Sequence, residues 1–259
     1  MTKSLPVFPS EVQYDKITFE KTPKKDGPKT YRAKYDGHPF DVVVGKIDVP
    51  FGVSDNTKFV KEGDTVKYHL ELSLDITNEK AKLFRNFLEK VDQVNYKYIS
   101  DNSIEMFGKS HLTVDEVRKH KDCSLITISK DKETGQKSVK YSDRFRVKLP
   151  IFPDGPKFQV FDKDGTEIVF FNKETGEIDW SWAQKQMKIN PIIQSEGILV
   201  MPTGAVYTKW KLLALRIMEY NTTTISKDAF RDEETEPVAS LTNQVSDLHV
   251  EEEDDEEEE

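Results

Sequence analysis

The chain has 259 residues, 38 Lys and Arg against 47 Asp and Glu, a formal charge of −9, 36% hydrophobic residues and one cysteine. The lone Cys123 excludes an intrachain disulfide and any multi-cysteine zinc or iron–sulfur site, and it suits a reducing compartment. No apolar run approaches a membrane span, and the opening MTKSLPVFPSE lacks a signal peptide's apolar core, so a soluble intracellular protein is expected.

Along the chain, the first notable segment is KTPKKDGPKTYRAKY (21–35), which sets Lys21, Lys24, Lys25, Lys29, Arg32 and Lys34 against Asp26 and interleaves Tyr31 and Tyr35. Its Pro and Gly predict a mobile loop leading into a strand over 29–35. FDVVVGKI (40–47) predicts a second strand. VKYHLELSLD (66–75) predicts a half-buried third: Val66, Tyr68, Leu70, Leu72 and Leu74 share one face, and Lys67, His69, Glu71, Ser73 and Asp75 the other. After Thr77-Asn78 as N-cap, Leu83, Phe84, Phe87, Leu88 and Val91 recur at helical spacing and predict an amphipathic helix over 79–94. A capping box, Thr113 with Glu116, predicts a shorter helix over 114–120.

Beyond CSLITISK (123–130), another expected strand, VKYSDRFRVKL (139–149) alternates most sharply. Its odd positions are mostly core-like, whereas Lys140, Ser142, Arg144, Arg146 and Lys148 make the other face almost wholly cationic. Side chains two apart on a strand stand roughly 7 Å from one another, close to the phosphate spacing of one nucleic-acid strand, so the row could follow a backbone without reading bases. A solvated face whose acids lie on a neighbouring strand is the alternative. KFQVFD (157–162) and TEIVFF (166–171) predict further strands, with turns at DKDG (162–165) and at KETG in both 132–135 and 173–176. In DWSW, Trp180 and Trp182 are expected in the core, with base stacking as the other option. The strand YTKWKLLALRIMEY (207–220) mixes Lys209, Lys211 and Arg216 with Tyr207 and Trp210, a composition suited to single-stranded nucleic acid: charges for phosphates, flat rings for exposed bases. Tyr and Trp in strands also serve as core.

The end of the chain is segregated by charge. Residues 232–259 hold fourteen acids and no base, so the preceding body carries 38 bases against 33 acids. Such a run repels itself and stays solvated. The expected organisation is a body over 1–220 and a flexible linker with an acidic tail over 221–259. The linker is long enough, at roughly 30 Å root-mean-square span, to reach back over its own domain.

No catalytic constellation is present. The five histidines show no metal-binding spacing, Cys123 has no nucleophile motif, DKDGTEI lacks the closing acid of a calcium loop, and GKS (108–110) lacks the upstream glycine of a phosphate loop. No enzyme and no cofactor are expected.

Many short strands with one inserted helix suggest an antiparallel barrel or sandwich. FPSEVQYDKITFEKTPKKDG with YRAKYDG, PFGVS (50–54), KYHLELSLD (67–75), RFRVKLP (144–150), and QSEGILV with YTKWKLLALRI (194–217) together resemble a family of single-stranded-DNA-binding proteins of large DNA viruses of algae and protists. The resemblance implies a mainly β fold, an OB-like antiparallel barrel with an inserted helix and extra strands, and non-sequence-specific binding of single-stranded DNA during viral replication or repair. It places the protein in the host cell nucleus or a cytoplasmic virus factory, admits a homo-oligomer, and makes replication proteins candidate partners of the tail. The groove would be lined by Lys24, Lys25, Arg32, Lys34, Lys140, Arg144, Arg146, Lys148, Lys209 and Lys211, with Tyr31, Tyr35 and Trp210 as rings. The tail would compete for it. The run ends at Glu259 without the terminal aromatic of bacterial and phage single-strand binders, a departure that counts against conventional tail-tip docking, whereas competition needs only charge. The alternative is an acidic-tailed binder of basic partners, such as a histone-type chaperone or a virion assembly factor.

Overall fold

The computed structural model describes residues 5–22, 27–59, 65–108, 111–119 and 123–220. They belong to one unit, Met1–Asn221; the linker and acidic tail, in a second unit, Thr222–Glu259, lie outside the described residues.

The principal strands are β1 (Ile17–Thr22), β2 (Lys29–Tyr35), β3 (Asp41–Val43), β4 (Ile47–Val49), β5 (Val53–Asp55), β6 (Tyr68–Ser73), β7 (Arg144–Leu149), β8 (Gln159–Phe161), β9 (Met187–Val200) and β10 (Val206–Glu219). Three helices, α1 (Glu79–Asp101), α2 (Ser103–Phe107) and α3 (Val114–Arg118), fall between β6 and β7. Hydrogen bonding runs β1-β2-β9-β10-β7-β6-β5, with β3 and β4 on β9 and β8 on β10. The protein is thus mainly β with an inserted helix, as expected. The antiparallel expectation needs correcting: β10 pairs in parallel with β7 at Lys211 and Lys148 and with β8 over Ala214–Arg216. A parallel pair needs a long crossover, and the chain from Leu149 to Val206 supplies one. Among the described residues the two ends of the path do not pair, so the sheet is mixed and not closed by hydrogen bonds.

The spine is β9, which pairs with β10 through three register shifts. Pro191, with no N–H to give, still offers its carbonyl to the Val44 amide at 3.0 Å. The expected single strand at 40–47 breaks into β3 and β4 around Gly45, at φ +91°, whose amide donates to Asn190 Oδ1 at 3.1 Å.

Helix α1 starts where predicted, with Asn78 Oδ1 accepting from the Lys80 and Ala81 amides, but runs on to Asp101. Phe84 and Phe87 bring it against the inner sheet face, where ring centroids lie 5.3 Å from Phe145 and 6.0 Å from Trp210 respectively. Phe40 closes the group at 5.4 Å from Trp210. Burying each such side chain contributes roughly 1.5–3 kcal/mol. A smaller cluster joins the last turns of α1, through Tyr96 and Ile99, to Met106, Val117, Cys123 and the β2 and β9 residues Tyr31 and Ile198. The capping box of α3 forms, with Thr113 and Glu116 bonded reciprocally.

Several expected strands are shorter or absent. CSLITISK contributes only Ile126–Thr127, and TEIVFF is held by isolated bridges. Strand 139–149 begins at Arg144, with Asp143 buried just before it. Both KETG turns form: Asp131 Oδ1 and Asn172 Oδ1 each accept amides two and three residues on, and Gly135 and Gly176 adopt positive φ. Trp182 is buried and Trp180 half-buried, 6.0 Å apart, both packed in the core.

Candidate nucleic-acid interface

Alternation on five adjacent strands aims one polar row of each at the same face. On β2, Thr30, Arg32 and Lys34 point outward while Tyr31 and Ala33 are buried. On β10, Tyr207, Lys209 and Lys211 point outward and Val206, Trp210 and Leu212 inward. On β7, Arg144, Arg146 and Lys148 alternate with buried Phe145, Val147 and Leu149. His69 and Glu71 of β6 lie directly across from Lys148 and Arg146.

The floor is a β-bulge in β9. Its register shifts between Ser195 and Gly197, which turns Glu196 into the groove. Gly197 has φ +84°, and a Cβ there would collide with the Tyr31 carbonyl oxygen and the Ala33 amide nitrogen. Only glycine lets β2 and β9 approach this closely.

Over this floor lie two adjoining depressions of about 510 and 620 Å3 that share Lys148 and Lys209. The first adds Arg32, Lys34 and Lys211, the second Lys67 and Arg146, giving seven cations; Glu196 is the one acid among the described residues lining them. Lys148 is 3.8 Å from Glu196, Lys34 3.7 Å from Glu20, and Arg146 3.0 Å from Glu71. No described carboxylate lies within ion-pair distance of Arg32, Lys67, Lys209 or Lys211. Lys148 and Lys211 are register partners, and like charges so placed are destabilising unless something anionic lies over them. The Lys209 ammonium is lowered from the ordinary lysine range, first by partial desolvation in the groove; Glu196 opposes this, and Lys148 and Lys67 push it further down. The His69 imidazole is likewise lowered, by burial and then by Arg146, against Glu71 and Asp55.

Of the residues nominated by sequence, Arg32, Lys34, Lys148, Lys209 and Lys211 come together here, and Arg146 sits at the edge. Arg144 and Arg146 converge on the same buried carboxylate, Glu71. Lys140 does not continue the row: it stands in the loop before β7, its Nζ 5.5 Å from the Tyr141 ring centroid. Lys24 and Lys25 lie outside the described residues.

The rings require correction. Tyr31 and Trp210 are 1% and 2% exposed and belong to the two core clusters, so neither offers a face to a base. Tyr35 is half-buried, stacked 5.4 Å from Phe40, and its hydroxyl accepts from the Gln13 amide. Tyr68, Tyr207 and Trp210 border the groove, and of these Tyr207 shares the outward face of Lys209, whose Nζ lies 5.7 Å from the Tyr207 ring centroid. Its parity with Lys209 and Lys211 was the available signal: in a strand, a ring on the cation face must share their odd numbering. The same parity within VKYHLELSLD puts Lys67 with His69 on the polar side.

Among the described residues no cluster of His, Cys, Asp and Glu could hold a metal ion, and no helix is long and apolar enough to cross a membrane.

No protein-family model and no curated protein matches the chain. Among solved structures it is similar to gp2.5, a single-stranded DNA binding protein encoded by bacteriophage T7, at 10% identity over 72% of this chain and 96% of that one, with a TM-score of 0.44. It is also similar to the single-stranded DNA-binding protein from bacteriophage Enc34 in complex with ssDNA, at 8% identity over 80% and 97% of the two chains, with a TM-score of 0.43. At this distance neither says what the present chain binds.

Proposed function

We propose that the β2-β9-β10-β7-β6 face holds a single strand of DNA through its phosphates, without sequence preference, in the replication or repair of a large DNA virus genome. The host cell nucleus or a cytoplasmic virus factory is then its place of action, and the chain belongs with the viral single-strand binders its sequence resembles. The observation that carries this reading is the ratio of seven lining cations to one lining acid across two adjoining depressions that share Lys148 and Lys209. Outward side chains along one strand repeat at roughly 7 Å, which suits successive phosphates of an extended chain, and Tyr207 supplies a ring for one base. The fourteen-acid segment 232–259 is proposed as an intramolecular competitor, displaced when DNA enters and then open to basic replication partners.

The test is a titration of the full chain, and of the chain ending at Arg231, with labelled single-stranded and duplex oligonucleotides. Single strands are expected to bind in preference to duplex. Six phosphates held at once, one for each lining cation other than the Glu71-bound Arg146, would give a slope of log affinity on log salt of about −4. Truncation should tighten binding, most at low salt, where screening is weakest. A truncated chain without single-strand affinity overturns the reading; unchanged affinity on truncation removes the tail's competition alone.

A further inference from the structure

Beside the groove, past Arg144 on β7, lies a separate depression of about 710 Å3 formed by the loop before β7 and by Phe51. Two aromatic rings face solvent there, Phe51 at 43% and Tyr141 at 57% exposure. Folding gains nothing from leaving such rings in water, and this loop is not loose. Its base is tied down by buried Asp143, which accepts from the Ser129 amide and pairs with Arg85 Nη1 at 2.7 Å and Lys137 Nζ at 3.1 Å. Burial alone would raise the Asp143 carboxyl, but the bonds from Arg85, Lys137 and Ser129 outweigh it and hold the group below its ordinary value. Ser129 Oγ donates to the Ser142 carbonyl, and Ser138 Oγ accepts the Lys140 and Tyr141 amides. Tyr141 is therefore presented on a fixed backbone, the preorganisation that a binding ring needs.

The charges around the rings favour an anion-bearing ligand. Lys130, Lys132 and Lys140 line the depression against Asp131 and Glu133, and Arg144, itself paired with Glu71, borders it. Asp131 is already engaged by the Glu133 and Thr134 amides and the Thr134 hydroxyl. The Arg144 guanidinium lies 5.5 Å from the Phe51 ring centroid and, two residues from Arg146 on one strand face, links this depression to the groove.

We propose that Phe51 and Tyr141 form a second subsite, outside the groove, that takes an unstacked base of the same DNA strand, with Lys130 and Lys140 beside its flanking phosphates. The proposal rests on the reading of the groove as a single-strand site, since that reading brings the strand to Arg144.

Anisotropy titrations with an oligothymidylate long enough to cover both depressions, and with the same oligonucleotide made abasic, test it. Phe51→Ala and Tyr141→Ala are each expected to weaken binding to the normal oligonucleotide by roughly 5- to 100-fold, the loss of one base–ring stack. The salt slope should not change, because a stack releases no counterions, and the abasic oligonucleotide should bind both variants as it binds the wild type. Phe51→Leu and Tyr141→Leu, which keep apolar bulk without a flat face, should reproduce the loss; a loss seen with Ala but rescued by Leu points to packing and overturns the proposal. Equal weakening on the abasic strand overturns it, and so does no weakening at all. Iodouracil-substituted oligothymidylate should photocross-link to Tyr141 or Phe51, and adducts confined to other residues overturn the subsite. Lys148→Glu/Lys211→Glu separates the two ideas: if that variant binds normally, the groove reading fails, whereas if it loses affinity and the ring variants do not, only the subsite falls.

Discussion

Two sets of cations sit on neighbouring strands of the same sheet face and keep different company. Arg144 and Arg146 of β7 converge on one buried carboxylate, Glu71, directly across the strand pair from Arg146. Lys148 on the same strand, with Lys209 and Lys211 of β10, faces mainly other cations, relieved by Glu196 at 3.8 Å from Lys148. A row that is uniform along one strand is thus divided by what lies across from it. An arginine pair that shares a desolvated carboxylate is committed to the fold, while lysines held against one another keep their charge for a ligand.

The comparison breaks most decisively if both sets matter equally for binding. Lys148→Glu/Lys211→Glu should weaken single-stranded DNA binding by on the order of 100-fold at low salt and flatten the salt slope by about 0.7 for each phosphate no longer held. Thermal unfolding of that variant should be close to wild type, because both side chains are at least partly exposed and surface charges carry little stability.

Glu71→Gln is the converse experiment. It frees the Arg146 guanidinium toward the groove and that of Arg144 toward the depression beside it, and roughly 3- to 10-fold tighter binding with a steeper salt slope is expected. The same change should cost about 1–3 kcal/mol in denaturant unfolding, the loss of charge-assisted bonds at a buried carboxylate. Unaltered stability would show that the arginines are not committed as described.

Smaller effects follow from titration. Because Lys209 is lowered from the ordinary lysine range, it loses its charge earlier than an exposed lysine as pH rises, and DNA affinity should fall a few-fold as pH climbs toward that range. Lys209→Arg, whose guanidinium stays protonated, should remove that slope. Affinity independent of pH in the wild type would contradict the crowding of Lys209 by Lys148 and Lys67.

The smallest expected effect on binding, none, belongs to Asp92 on α1, and it serves as a control with its own readout. Burial raises its carboxyl from 3.8 to about 7, against the Leu125 amide and the Ser124 hydroxyl, which stabilise the anion. A raised folded-state value means that stability is complete below the unfolded value near 3.8 and is lost as pH rises to about 7. Chemical unfolding across that window should show the decline in the wild type and not in Asp92→Asn, with DNA affinity the same in both.

The parts of this molecule that sequence made legible are those where a local rule acts alone. KTYRAKY is a strand over the expected residues, Asn78 caps α1, Thr113 and Glu116 form their box, and both KETG turns close. Where the pattern failed, a partner distant in sequence had supplied the reason. MKINPIIQSEGILV carries Pro191 and Gly197 and shows no clean alternation, yet it is the strand on which the sheet is built: Gly197 falls at a bulge and a close backbone approach, and Pro191 keeps register with Leu215 and gives its carbonyl to the Val44 amide. Helix α1 runs past residue 94 because its buried face continues through Tyr96 and Ile99 into the second core cluster, with Asn95 and Ser100 buried beside them, Ser100 through a bond to the Leu112 carbonyl. Lys140 stands outside the cationic row because the backbone at 140–141 is held in a loop, its amides donating to Ser138 Oγ, and the strand begins only at Arg144.

Charge sign, its segregation between body and tail, the parity of each strand and the chemistry of its turns were determined by the order of residues alone, since each depends on neighbours within a few positions. Which face of Tyr31 or Trp210 meets water, which acid answers which arginine, and that three strands and Lys67, just before β6, bring their cations to two adjoining depressions were decided by tertiary structure. Those outcomes depend on strand order and register, and nothing local in the chain encodes which distant strand will lie alongside.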